Sequence, residues 1–84
     1  MRDYQNSIHQ AVLNKKKWAG SNTVVNTENN VTKVYFYGNL IGVVDHNGKS
    51  AIFDNCGFNN ACTTARINAV KMAVKDLGYT ILKG

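Results

Sequence analysis

The chain has no proline, two cysteines and five acidic residues in 84 positions. Without proline-rich stretches or any compositional break there is no linker, so residues 1–84 are expected to form a single domain. Two cysteines cannot build a multi-bridge disulfide framework. Structural zinc takes four ligands, and the two cysteines and two histidines match no zinc-finger spacing, so no metal or cofactor is expected. The expected state is reduced and intracellular, with both thiols buried as small apolar residues. Five scattered acids form no evident acid–base pair or Mg²⁺ site, and they exclude an acid-rich mimic of DNA. No run approaches the roughly 18 apolar residues of a membrane span, and Met1-Arg2-Asp3-Tyr4-Gln5-Asn6 lacks the apolar segment of a signal peptide. A domain of this size buries little more than about 60% of its unfolded surface, room for one sheet and one or two helices but not for a deep enzymatic cleft.

What the chain does have is positive charge and asparagine. Ten Lys and Arg give a net charge of +5, which favours polyanionic partners such as nucleic acid. Twelve asparagines are spread along the chain. Asn tolerates left-handed backbone and caps turns, which accounts for part of the excess.

Tyr4, Ile8, Ala11 and Val12 recur at helical spacing and predict an amphipathic helix over residues 3–13, followed by Lys15, Lys16 and Lys17 at the negative end of its dipole. Residues 18–22 read as a connector with Trp18 as a lid on the core. A short β-prone run covers residues 23–27. Residues 31–37 and 40–46 are strands joined at Gly38-Asn39, and Asn47-Gly48 leads into a third over residues 49–54. Thr63 or Thr64 is the expected cap of a second helix with the apolar stripe Ile67, Val70, Val74 and Leu77, ended by Gly78. Tyr79-Thr80-Ile81-Leu82 can add a last strand. The fold class is therefore α+β in two layers: an N-terminal helix, an antiparallel meander of three to four strands, a C-terminal helix and a short final strand.

Two-residue loops would fix the register, with Tyr37 opposite Leu40 and His46 opposite Lys49. Val34, Phe36, Ile41, Val43 and Ile52 would then share a core face. The other face would carry Lys33, Tyr35, Tyr37, Leu40, Gly42, Val44, His46, Lys49, Ala51 and Phe53. On it Tyr35, Tyr37 and Phe53, with Gly42 between them, resemble in type a platform for unpaired bases, and Lys33, His46 and Lys49 could meet phosphates. Alternatively a helix covers this face.

A second candidate surface lies on the second helix. Thr64, Asn68, Lys71 and Lys75 fall opposite its apolar stripe, and Arg66 stands in the first turn, where a cation opposes the helix dipole. Thr63, Thr64 and Arg66 could cradle an anion, or Arg66 could pair with a loop carboxylate such as Asp54. The loop before this helix, rich in Asn and Gly and including Asn59 and Asn60, exceeds the usual connection length and could be a contact. Catalysis has little support: Cys56 or Cys62 would need His9 or His46 nearby, and the turn signal accounts for His46.

The segments Tyr37-Gly38-Asn39-Leu40-Ile41, Cys56-Gly57-Phe58 and Thr63-Thr64-Ala65-Arg66-Ile67-Asn68-Ala69 resemble a pattern of small uncharacterised bacteriophage proteins. It runs Tyr/His-Gly-Asn-x-Ile, then Gly-aromatic, then Thr-Thr-x-x-Arg-Ile/Leu-Asn-Ala. The resemblance implies a phage origin and the cytoplasm of an infected bacterium; it brings no activity. The order helix, three strands, helix is also similar to the double-stranded RNA-binding domain, but that domain opens its second helix with several lysines where this chain has only Arg66.

The expected function is non-enzymatic nucleic-acid binding, through Arg66, Lys71, Lys75, Thr63, Thr64 and Asn68 and, if uncovered, the aromatic sheet face. The alternative is a phage inhibitor of a host protein, such as a CRISPR effector, another defence component or RNA polymerase, contacted through the Asn-rich loop. Either could be a monomer or a homodimer formed through an edge strand.

Overall fold

A computed structural model describes residues 2–57 and 60–84. Helix α1 spans Asp3–Leu13, as its periodicity requires, and buries Ile8, Ala11 and Val12. It closes with Lys15 in left-handed backbone (φ 54°). The amides of Lys15 and Lys16 donate back to the Val12 and Ala11 carbonyls at 3.3 and 2.9 Å, the two-bond closure that usually has glycine at the left-handed position.

Six strands follow in an unbroken spatial order: β1 (Trp18–Gly20), β2 (Thr23–Glu28), β3 (Val31–Phe36), β4 (Asn39–Asp45), β5 (Ser50–Phe53) and β6 (Thr80–Lys83). The first five form an antiparallel meander. Helix α2 (Ala61–Leu77) then carries the chain back, so that β6 runs parallel to β5. The sheet is therefore mixed and larger than expected, and the residues 18–20 read as a connector form its first strand. Three hairpins have positive φ at both central residues: Ser21 and Asn22, Asn29 and Asn30, Tyr37 and Gly38. Such turns match the twist of paired strands and favour Asn and Gly, which accounts for Asn22, Asn29 and Asn30, three of the twelve asparagines.

The register departs from expectation at one point. The turn after β3 is Tyr37-Gly38, not Gly38-Asn39, so Phe36 pairs with Asn39 and Tyr35 with Leu40; the pairing then slips by one, and Val34 faces Gly42. This bulge leaves both Ile41 and Gly42 buried and inverts the rest of β4 and all of β5. Val34, Phe36 and Ile41 face the core as expected. Val43 and Ile52 do not; their places are taken by Val44, Ala51 and Phe53.

Both helices lie on this one face, α1 against β1 and β2, α2 against β4, β5 and β6, and against each other. Between them and the sheet sit Ile8, Val12, Val25, Val34, Val44, Val70 and Val74, all nearly inaccessible. Asn60 caps α2, accepting from the Thr63 amide at 3.0 Å, in place of the expected Thr63 or Thr64. Gly78 ends it in left-handed backbone (φ 77°), as expected. Among the described residues no element covers the opposite face of the sheet.

Candidate functional site

The expected aromatic platform does not form. The bulge turns Phe53 into the core, where it is 3% exposed and pairs with Gly42. A Cβ on Gly42 would sit 3.2 Å from the Phe53 ring, so the gap left by that glycine is filled by Phe53 itself. Tyr37 is exposed in a turn, its hydroxyl accepting from the Asn22 side chain at 2.9 Å. Tyr35 alone of the three stays on the open face, half-buried.

The helix site is also rearranged. Arg66 is 6% exposed and has no carboxylate partner. Its Nε donates to Thr23 Oγ1 at 2.7 Å, and its terminal nitrogens donate to the carbonyls of Cys62 (2.8 Å) and Ser21 (2.9 Å). The guanidinium carbon lies 4.5 Å from the ring centre of Tyr4 and 4.2 Å from that of Phe36. Arg66 thus ties α2 to α1 and to the first hairpin; it neither presents an anion cradle nor pairs with Asp54. Thr63 is fully buried, and its hydroxyl has no partner among the described residues. The Lys71 ammonium is bonded to the Gly84 carbonyl and lies 5.6 Å from the Phe53 ring centre. Only Thr64, Asn68 and Lys75 remain as exposed members of that set. Asn60 serves as the cap, and Asn59 lies outside the described residues. Cys56 and Cys62 are exposed, contrary to expectation, and the Cys56 thiol donates to the Leu40 carbonyl at 3.1 Å.

The open face offers a different arrangement. Asn26, Glu28, Asn29, Val31, Lys33 and Tyr35 line a concavity of about 580 Å³ on β2, β3 and their turn. Asn26 and Lys33 are a cross-strand pair, with Tyr35 one step along β3 on the same face. The Asn26 amide donates to Glu28 Oε1 at 3.3 Å. Lys33 and Tyr35 come together here as the sequence suggested; Asn26, Glu28 and Asn29 were missed. Asn26 had a signal, being an amide at an outward position within a β-prone run.

Few of the chain's cations are paired with acids among the described residues. The one contact between a basic side chain and a side-chain carboxylate among the described residues is the hydrogen bond between His9 Nε2 and Asp76 at 2.7 Å. Other acids are committed locally: Asp45 accepts from the amides of Asn47 and Gly48, and Asp54 from that of Cys56. No described Lys or Arg is within ion-pair distance of a side-chain carboxylate.

His46 flanks its turn, as expected, but is also a core residue, 6% exposed. Its Nε2 lies 2.7 Å from Thr32 Oγ1 and its Nδ1 3.1 Å from the Tyr79 hydroxyl, while Thr32 is bonded to Thr27. Burial is the main cause that lowers its pKa below the usual 6.5; Lys15 adds to the shift and Asp45 opposes it. No group of three potential metal-ligating side chains occurs among the described residues. No described helix is long and apolar enough to cross a membrane.

No curated protein and no solved structure shows a match to this chain. The model of the Kyanoviridae Gp96 protein family does, over residues 1–83, which takes in both helices and all six strands with the open face between β2 and β3. That coverage settles kinship without assigning an activity: the chain belongs to the Kyanoviridae Gp96 proteins, a bacteriophage family of uncharacterised function.

Proposed function

We propose that this phage protein is a non-enzymatic nucleic-acid-binding module that uses the open face of its sheet. The observation that carries the reading is the placement of Tyr35 and Lys33 in one concavity with two asparagine amides, on the face that neither helix covers. An aromatic ring offers stacking to a base, worth about 1–3 kcal/mol, and amides supply donors and acceptors to base edges. The ten Lys and Arg supply the field that brings a polyanion to the surface.

A salt-titrated binding assay with labelled DNA and RNA, single- and double-stranded, tests this. Binding that is tightest at low salt and weakens steadily as salt rises is expected, with Lys33→Ala reducing the slope. Absence of binding at low salt overturns the reading.

A second reading draws on Val24, Leu40 and Ile52, exposed on the same face. A host protein could cover these apolar side chains, making the module an inhibitor of a defence component or of a polymerase. Capture of the same host protein before and after nuclease treatment, with no affinity for purified nucleic acid, favours this reading over the first.

A further inference from the structure

Two lysines occupy backbone conformations that favour glycine. Lys15 (φ 54°) closes α1, and Lys49 (φ 52°) closes the turn between β4 and β5. A side chain in left-handed backbone is disfavoured relative to glycine, so the backbone geometry alone would select glycine at both positions. Neither has a carboxylate partner. A charge kept at exposed positions where the backbone favours glycine points to a function beyond the turn geometry, in addition to the complement that Lys15 makes to the α1 dipole.

The two positions lie at the same end of the sheet. The turn after β2 meets the turn after β4 there: the His46 amide donates to the Asn30 carbonyl, and the Asn30 side chain donates to that of Asn47 at 3.0 Å. Lys15 precedes β1, which enters the sheet at this end because it runs antiparallel to β2, and this places Lys15 here as well. Lys16 and Lys17 then lead into β1. Trp18 pairs with Val25, so the antiparallel pairing leads Lys17 towards Asn26, the residue after Val25 and a wall of the concavity. From Lys17 to Lys33 is then about two strand spacings, roughly 10 Å. Lys17 thus borders the concavity from the sheet edge, and Lys15 and Lys49 stand at the end of the sheet where the turn of the concavity lies.

Resting on the nucleic-acid reading of the open face, we infer that Lys15, Lys16, Lys17 and Lys49 form a phosphate rail that delivers a single-stranded nucleic acid to the concavity, with one unpaired base against Tyr35. A duplex keeps its base faces stacked and hidden, so only a single strand satisfies both the rail and the ring. Glu28, the one carboxylate in the concavity, repels phosphate and accepts from base amino groups, which assigns the concavity to the base and the rail to the backbone.

The variant that tests this is Lys15→Gly/Lys49→Gly, because glycine suits the backbone that both lysines strain. Its melting temperature should equal or exceed that of the parent, while its affinity for a labelled 12-nucleotide single strand falls at least about tenfold. Its salt slope should drop by about 1.4, two phosphate contacts at about 0.7 each for single strands. Tyr35→Ala should weaken binding with the slope retained. If the parent protein binds no nucleic acid at low salt, the underlying reading fails. If the parent binds but the glycine variant binds equally well, or if duplex competes as well as single strand, the underlying reading stands and the rail is overturned.

Discussion

Arg66 on α2 and Lys33 on β3 carry the same charge on opposite sides of one sheet, and their surroundings differ throughout. Arg66 is enclosed by two carbonyls, a hydroxyl and two aromatic rings, so its charge is consumed in holding α1, α2 and the first hairpin together. Lys33 is exposed beside Tyr35 and Asn26. The same contrast separates Phe53, which fills the space above Gly42, from its neighbour Ile52, which is 45% exposed. What decides whether a side chain serves the fold or a partner is the side of the sheet it occupies, and for the end of β4 and for β5 a single bulge assigns it.

The largest effect should come from the covered side. Phe53→Ala removes a ring from the core and leaves a cavity, which costs about 3–5 kcal/mol. For a domain whose whole stability is on the order of 5–15 kcal/mol, chemical denaturation should show a midpoint shift near the limit of folding. A loss below about 1 kcal/mol would place Phe53 on the open face and restore the register without a bulge.

Arg66→Met comes next. It keeps much of the side-chain length but removes the charged donor from the carbonyls of Ser21 and Cys62 and from the Thr23 hydroxyl, leaving Ser21 only the Thr23 hydroxyl among side-chain donors, at a cost of about 2–4 kcal/mol in denaturant melts. Arg66→Lys should recover only part of it, since an ammonium cannot reproduce the planar fork that reaches three acceptors between two rings. If both variants melt like the parent, Arg66 is a surface cation after all and the contrast with Lys33 collapses.

The pH dependence tests the same covered face. Because burial lowers the His46 pKa below its unfolded value near 6.5, the unfolded chain binds the proton more readily. The stability that neutral His46 provides is complete above the unfolded pKa and declines as pH falls through that value towards the lower folded one. Denaturation midpoints should fall between pH 7.5 and pH 5, and His46→Gln, which cannot titrate, should flatten that slope. A parent midpoint that rises on acidification contradicts a His46 held neutral between Thr32 and Tyr79.

Most of the fold was legible because its signals are local. The spacing of Ile8, Ala11 and Val12 marked α1, and Gly78 marked the end of α2. Two things were not local. The bulge opposite Val34 depends on which of Tyr37-Gly38 and Gly38-Asn39 forms the turn; Tyr37 accepts left-handed backbone there (φ 50°), a conformation bulky residues seldom adopt. Arg66 at a helix start read as an anion site because a cation there opposes the dipole, but tertiary contacts from Ser21 and Thr23, over 40 positions away in sequence, supply its acceptors. Of the candidate site, Lys33 and Tyr35 were found by face assignment; Asn26 and Asn29 were hidden among asparagines that serve turns.

The smallest effect expected is the sharpest test of the open face. Ile52→Thr keeps a β-branched side chain suited to a strand and exchanges an apolar for a polar surface, so in an uncovered sheet it should change stability by no more than about 0.5 kcal/mol. Ile52 lies one residue from Phe53 on the same strand, so the pair of variants compares two faces within one backbone. The melt should be run at two protein concentrations a hundredfold apart. If Ile52→Thr costs more than about 2 kcal/mol, and the parent's midpoint rises with concentration while the variant's does not, a second copy covers this face in solution. The concavity beside Tyr35 would then belong to a homodimer interface, and nucleic acid would have to be sought elsewhere on the protein. If the midpoints are independent of concentration and Ile52→Thr is silent, the face is free, and the difference between Phe53 and Ile52 measures what the two helices contribute by covering only one side of the sheet.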